Sequence, residues 1–161
     1  MRIAFVVAAA ALLASGCRPS DEDIRRIVRE EMRSGMERQS MSSNNVIGPY
    51  SPAVRVGGFL FVSGQIALDP QTGALKQESI EIETRQALDN LMGILRGQGY
   101  DSSNVVSATV YLRNMKDYAA VNQVYAGYFA QGNYPARVAV EVAALPKQAN
   151  VEIAAIAYRS R

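Results

Sequence analysis

YPARVAVEVAALPK (134–147), followed at once by QANVEIAAIAY (148–158), is the stretch that decides the fold. Ala136–Val142 and Val151–Tyr158 are two β-prone runs joined by a loop holding Leu145-Pro146-Lys147. Ala139, Ala143, Ala154, Ala155 and Ala157 make both runs small and apolar on either side. Strands of that kind are buried on both faces. One cover must come from helices of the same chain, and the other from a second layer. The one candidate for that layer is another subunit, so the pattern itself predicts an oligomer.

Working back, Val105–Leu112 reads as a Val- and Thr-rich strand. From Ser79 to Arg96 the apolar residues Leu88, Leu91, Met92 and Leu95 recur at helical spacing, up to Gly97 and Gly99. Asn114 is placed to cap a second helix whose face carries Tyr118, Val121, Tyr125 and Tyr128. Val54–Val56 and Phe59–Ser63 flank Gly57-Gly58 as a hairpin, and Asp69–Gly73 is a turn. The order β-β-α-β-α-β-β predicts an α/β (α+β) domain over 46–161, a mixed sheet with two helices on one face.

Composition narrows the chemistry. The 161 residues are 48% hydrophobic and 20% charged, with a net charge of +2, a globular balance. Basic and acidic residues are interspersed, so no footprint for nucleic acid is expected. There is no His, which removes Ser-His and Cys-His nucleophile pairs and His-based metal sites. Cys17 is the single Cys, and no phosphate-cradling glycine motif is present. Neither metal nor cofactor is expected, which leaves carboxylate, guanidinium, hydroxyl and backbone groups.

Two positions stand out on that basis. Arg137 is a guanidinium in an Ala/Val strand, where an unpaired charge is costly. It must meet either a structural carboxylate, Glu141 or Glu152, or a carboxylate ligand held through two parallel hydrogen bonds. Pattern alone leaves these two readings open. Glu152, between Val151 and Ile153, is either the exposed position of an alternating strand or a desolvated carboxylate suited to deprotonate water. Tyr50 and Ser63 are hydroxyl donors beside turns, and Gly64 permits close backbone approach.

The first 45 residues read as an address and a spacer. After Met1-Arg2, Ile3–Ala14 is wholly apolar, shorter than the about 20 residues of a spanning helix. It ends in LLASGC (12–17), which resembles a bacterial lipoprotein signal: 1–16 would be removed and Cys17 lipidated. The expected location is then the bacterial cell envelope, exported, lipid-anchored and periplasm-facing. SDEDIRRIVREEMRSGMERQ (20–39) predicts a partly helical tether, with a short coiled-coil stalk as the alternative. SMSSNN (40–45) reads as linker, closing a 17–45 spacer.

Taken in order, IGPYSPAV (47–54), FVSGQIALDPQTG (61–73), TRQALDNL (84–91), NVVSATVYL (104–112), NMKDYAAVNQVYAGYF (114–129), PARVAVEVAALPK (135–147) and VEIAAIA (151–157) resemble the RidA family, also called YjgF/YER057c/UK114 or L-PSP endoribonuclease-like. The likeness covers Val46–Tyr158. It implies a chorismate-mutase-like fold assembled as a homotrimer around a central barrel, with sites in the clefts between subunits. It also implies hydrolysis of enamines and imines, such as 2-iminopropanoate and 2-iminobutanoate, to 2-oxo acids and ammonia without a cofactor. In that frame Arg137 is the carboxylate-binding arginine, Glu152 directs water, Tyr50 lines the pocket, and Ser63 and Gly64 belong to the SGQ motif. Val138, Pro52 and Ala154 stand where the family commonly has Ser, Gln and Glu. The competing expectation is a non-enzymatic trimer in the envelope that binds small carboxylates or acts as a chaperone-like surface. Endoribonuclease activity is disfavoured by the missing His and basic patch.

Overall fold

The computed structural model describes residues 20–41 and 47–160. The apolar N-terminal stretch, Cys17, the rest of the linker, Val46 and Arg161 lie outside the described residues. The chain divides into two units, Met1–Glu37 and Arg38–Arg161, and each is taken by itself.

In the first unit, Asp21–Gly35 forms helix α1. Ser20 starts it as the sequence suggests. The Asp23 amide donates to Ser20 Oγ (3.2 Å), and the Ser20 amide donates back to Asp23 Oδ2 (3.3 Å). The Ser20 hydrogen bonds hold the Asp23 carboxyl below its ordinary range. Ile24, Ile27, Val28 and Met32 recur at helical spacing along α1; Ile24, Val28 and Met32 are exposed and Ile27 is half-buried. No helix among the described residues is long and apolar enough to cross a membrane.

The second unit is one mixed sheet with helices. Strand β1 is Arg38–Ser40, β2 Ala53–Val56 and β3 Phe59–Gln65; helix α2 (Ile80–Gly97) follows, then β4 (Val105–Leu112), α3 (Tyr118–Ala126), β5 (Ala136–Glu141) and β6 (Val151–Tyr158). The spatial order is β1-β2-β3-β6-β4-β5. Only β4 and β5 run parallel, linked through α3; the other neighbours are antiparallel. Because β6 inserts between β3 and β4, the β3-α2-β4 crossover straddles it, a split βαβ arrangement.

The β2-β3 hairpin turns at Gly57, whose φ of 61° suits a residue without Cβ. Ser79 caps α2 by accepting from the Ile82 amide. Asn114 is a cap too, but of a 3₁₀ turn, Met115–Asp117, that leads directly into α3. Strand β1 extends the sheet into residues that the sequence reading assigns to the tether, pairing Arg38 with Val56 and Ser40 with Val54.

Leu88, Leu91 and Leu95 of α2 and Val121 and Val124 of α3 pack on Leu60, Val62, Val110, Leu112 and Ile153. Each fully buried Leu contributes about 1.5–3 kcal/mol relative to exposure. Alternation along β6 sends Val151, Ile153, Ala155 and Ala157 into this core and Glu152, Ala154, Ile156 and Tyr158 to the opposite face. That opposite face is apolar: Phe59, Phe61, Val106, Val138, Val140 and Tyr158 are all exposed on it. The double-sided apolar character of the late strands is therefore real, and one side lacks helices.

Candidate active site

Glu152 sits where β3 departs from regular pairing with β6, between Val62 and Gln65. Ser63 and Gly64 occupy that irregularity. A Cβ at Gly64 would lie 1.7 Å from Glu152 Oε1, so only glycine lets the carboxylate occupy this place. Glu152 has no hydrogen-bond or ion-pair partner among the described residues, and burial raises its carboxyl above the ordinary value of 4.5. Ser63 uses its hydroxyl proton on the Ser51 carbonyl (2.7 Å) and its amide on Pro52 (3.0 Å). It thereby pins the loop that carries Tyr50 and keeps only its oxygen lone pairs free, so it serves the site more by positioning than by donation. Tyr50, Ser63, Gly64 and Glu152 line one cavity of about 690 Å³, together with residues of α2 and with Met41, which follows β1.

Arg137 is on the other side of the sheet. Its β5 neighbour Ala139 packs on the core, and its guanidinium reaches α3. Arg137 Nη2 donates to Asn122 Oδ1 at 2.7 Å and, at the limit of contact, to Tyr118 Oη at 3.4 Å. The guanidinium carbon lies 4.6 Å from the centroid of the Tyr125 ring and 5.8 Å from that of Tyr118. Arg137 forms no ion pair among the described residues. Of the carboxylates considered from sequence, Glu141 instead accepts from the Met115 amide (2.6 Å). The structural ion-pair reading of Arg137 is thus not realised, because α3 supplies neutral oxygen and aromatic faces in place of a carboxylate. Nη1 and Nε make no hydrogen bond among the described residues, so the planar fork keeps donors for a ligand.

Asn122, Tyr118 and Tyr125 went unmarked as site residues in the sequence. Their i, i+4, i+7 spacing was the available signal, an amide flanked by two aromatics on one helix face. Hydrogen bonding from Asn122 is the main cause, with the Arg137 charge second, that lowers the Tyr118 hydroxyl. Burial pushes the Tyr125 hydroxyl up to about 12, and it has no hydrogen-bond partner among the described residues. Glu83 was also missed. Fully buried in the first turn of α2, it accepts from the Asn150 amide (2.7 Å) and side chain (2.8 Å), two residues before Glu152. That clasp holds the start of β6 after a turn in which Lys147 and Gln148 adopt positive φ.

Arg137 is not among the walls of the Glu152 cavity. One chain therefore carries two separate candidate positions, a desolvated carboxylate in a cavity and a cation immobilised at a sheet edge. No cluster of three or more potential metal ligands occurs among the described residues.

Comparison with known proteins agrees with this architecture. A family model described as Endoribonuclease L-PSP matches residues 40–159. A RutC family protein of Pyrococcus horikoshii is 51% identical over 70% of this chain and 89% of its own. The mouse (Mus musculus) protein named 2-iminobutanoate/2-iminopropanoate deaminase is 50% identical over 70% of this chain and 83% of its own. Among solved structures, E. coli TdcF with bound serine superposes with a TM-score of 0.70 at 34% identity, covering 76% of this chain and 100% of that one. Two-thirds or more of each relative is covered at well over the identity that fold alone would give, and the motifs run in the same order. The chain belongs to the Endoribonuclease L-PSP family, which is the RidA (YjgF/YER057c/UK114) family that its motifs resemble.

Proposed function

We propose that this protein hydrolyses 2-imino acids of the 2-iminopropanoate and 2-iminobutanoate type to 2-oxo acids and ammonia. The observation that carries the reading is Glu152: a half-buried carboxylate without a partner among the described residues, seated where Gly64 lacks a Cβ, at the wall of a cavity. A carboxylate with a raised pKa is a competent general base near neutral pH. The substrate reacts as its protonated imine: Glu152 takes a proton from water as the water oxygen bonds to the imine carbon, and the C=N pair moves to nitrogen to leave an –NH2 group. Glu152 then gives its proton to that nitrogen, ammonia leaves as the C=O bond forms, and the carbinolamine hydroxyl proton passes back to the Glu152 carboxylate and from there to ammonia. Free imines already hydrolyse in water, so positioning and modest acid-base help suffice.

Arg137 holds the substrate carboxylate in this reading. Since it does not line the same chain's cavity, the complete site needs a second copy of the chain. The exposed apolar sheet face bearing Phe59, Phe61, Val138 and Val140 supports such an assembly, for which we propose the homotrimer that the family resemblance implies. The names of the mouse relative and of the serine-bound E. coli structure support a small amino-acid-derived ligand. We further propose that the chain is exported and anchored through a lipid on Cys17, as LLASGC suggests.

The test is to generate 2-iminopropanoate or 2-iminobutanoate in situ with an amino-acid oxidase and follow imine decay with the purified full chain. Acceleration that is lost in Arg137→Ala is expected. Decay at the spontaneous rate, or equal acceleration by the variant, overturns the reading. Palmitate labelling that disappears in Cys17→Ser tests the anchor separately, and labelling that persists removes it.

A further inference from the structure

Resting on the imine-hydrolase reading, we propose that Glu83 is a positioning residue for Glu152: its clasp on Asn150 ties helix α2, one wall of the cavity, to the start of β6 and so sets where the Glu152 carboxylate stands. Among the described residues Glu83 is the one charged side chain that is fully buried, and it makes no ion pair among them. Burying a carboxylate without a cation is costly. Both of its oxygens are instead taken up by one residue, Oε1 by the Asn150 amide (2.7 Å) and Oε2 by the Asn150 side chain (2.8 Å). Hydrogen bonds to a charged acceptor are the strong ones. The helix does not need this charge for its own start, because Ser79 already caps it.

The clasp falls where β3 gives β6 no support. Pairing of β3 with β6 ends at Gln65 and Ile153, so on that side no strand partner reaches Asn150, Val151 or Glu152. The chain also enters β6 from a turn in which Lys147 and Gln148 both hold positive φ, a conformation that persists only where its neighbours enforce it. Those neighbours are in place. Gln77 donates to the Gln148 carbonyl (2.8 Å), the Arg113 amide donates to the Asn150 carbonyl (2.9 Å), and Glu83 takes the Asn150 amide. Of these, only Glu83 comes from α2, whose residues Asn90, Gly93 and Ile94 line the cavity. Pro146 of the turn and Glu152 line it as well, so the clasp joins two of its walls.

Gly64 leaves room for the Glu152 carboxylate, and no hydrogen bond among the described residues fixes it there. Its place therefore depends on the backbone that carries it, and that backbone depends on Glu83. Loss of the clasp should shift the base by an amount small for the fold and large for the reaction.

The experiment follows hydrolysis of 2-iminopropanoate, made in situ by an amino-acid oxidase, by the full chain, Glu83→Ala and Glu83→Gln, each held below its Tm. Glu83→Ala should lose about tenfold or more in kcat with KM nearly unchanged. Glu83→Gln keeps both bonds once the Asn150 amide turns over, and should recover most of that loss. Wild-type kcat in folded Glu83→Ala, a loss confined to KM, or no recovery in Glu83→Gln overturns the proposal. Should Glu83→Ala not fold, Asn150→Ala, which removes only the side-chain half of the clasp, must still lower kcat, and a wild-type value overturns it. Should wild type itself not accelerate imine decay, the hydrolase reading fails on its own, and crystal structures of wild type and Glu83→Ala decide this inference. The Glu152 carboxylate must leave its place beside Gly64 in the variant, and an unmoved carboxylate overturns the proposal.

Discussion

Glu152 and Arg137 are ionisable groups on strands separated only by β4, yet the protein treats them in opposite ways. Glu152 has no partner among the described residues and is partly desolvated, with Gly64 giving way to it. Arg137 is fastened by Asn122 and laid over Tyr125. The contrast fits the roles proposed for the two groups. A base gains reactivity when its charged form is poorly solvated, whereas a clamp gains from being immobile before the ligand arrives. Alternation then puts the two on opposite faces of the sheet, so the proposed site closes only between copies.

The sharpest way to break that comparison is to remove each group in turn. Glu152→Gln keeps the shape and removes the base, so imine hydrolysis should fall about 10²–10⁴-fold, mainly in kcat. Arg137→Ala should act mainly on KM, and reversal of these assignments in steady-state kinetics would undo the division of roles. Co-expressing the two inactive chains should restore the share of activity that random subunit mixing allows, because some interfaces then hold both intact halves. No recovery would place both groups in a single-chain site.

Gly64→Ala comes next. The new Cβ must push the Glu152 carboxylate aside, and a displacement of that order costs about 10²-fold in rate. An alanine variant of wild-type activity would mean that Glu152 is not held in place by this contact. On the other half, Asn122→Ala removes a hydrogen bond to a charged group, worth about 1.5–3 kcal/mol. Arg137 then loses its tether, and KM should rise by about tenfold or more while kcat moves little.

The smallest effects are in pH. As the proposed base, Glu152 would work as its carboxylate, and burial raises that carboxyl above its ordinary 4.5, so the acid limb of kcat/KM should fall at a pH above that of an ordinary glutamate. For stability the sign is opposite. A raised folded-state pKa favours the protonated form, so the contribution is present below the unfolded value and is lost as pH rises through the folded one. Glu152→Gln should therefore slightly raise Tm at neutral pH and not at pH 4, measured by calorimetry. Equal Tm shifts at both would show that the desolvated charge has no stability cost.

Much of this was legible beforehand. β4 runs Val105–Leu112 as its Val/Thr content says, and α2 begins just after Ser79, as its apolar spacing and cap require. These elements announce themselves because side-chain burial drives them. β1 does not, since Arg38-Gln39-Ser40 is wholly polar and exposed, held by backbone pairing and by the Arg55 guanidinium donating to the Gln39 side chain. Tyr118 shares a helix face with Val121 and Tyr125 in the sequence reading, yet it is exposed where they are buried, beside the Arg137 guanidinium. The clasp between Glu83 and Asn150 joins residues far apart in the chain, and no local pattern points to it.

By itself the sequence determined the chemistry available: no His, one Cys, an arginine in an apolar strand, a glutamate flanked by Val and Ile, and a glycine after Ser63. Residue identity and alternation are local properties, and they carry that much. Only the tertiary structure decided that Gly64 makes room for Glu152, that Asn122 rather than a carboxylate holds Arg137, and that Glu152 and Arg137 face apart. Those outcomes depend on which strands become neighbours. The late insertion of β6 between β3 and β4 sets that, and nothing within either segment alone encodes it.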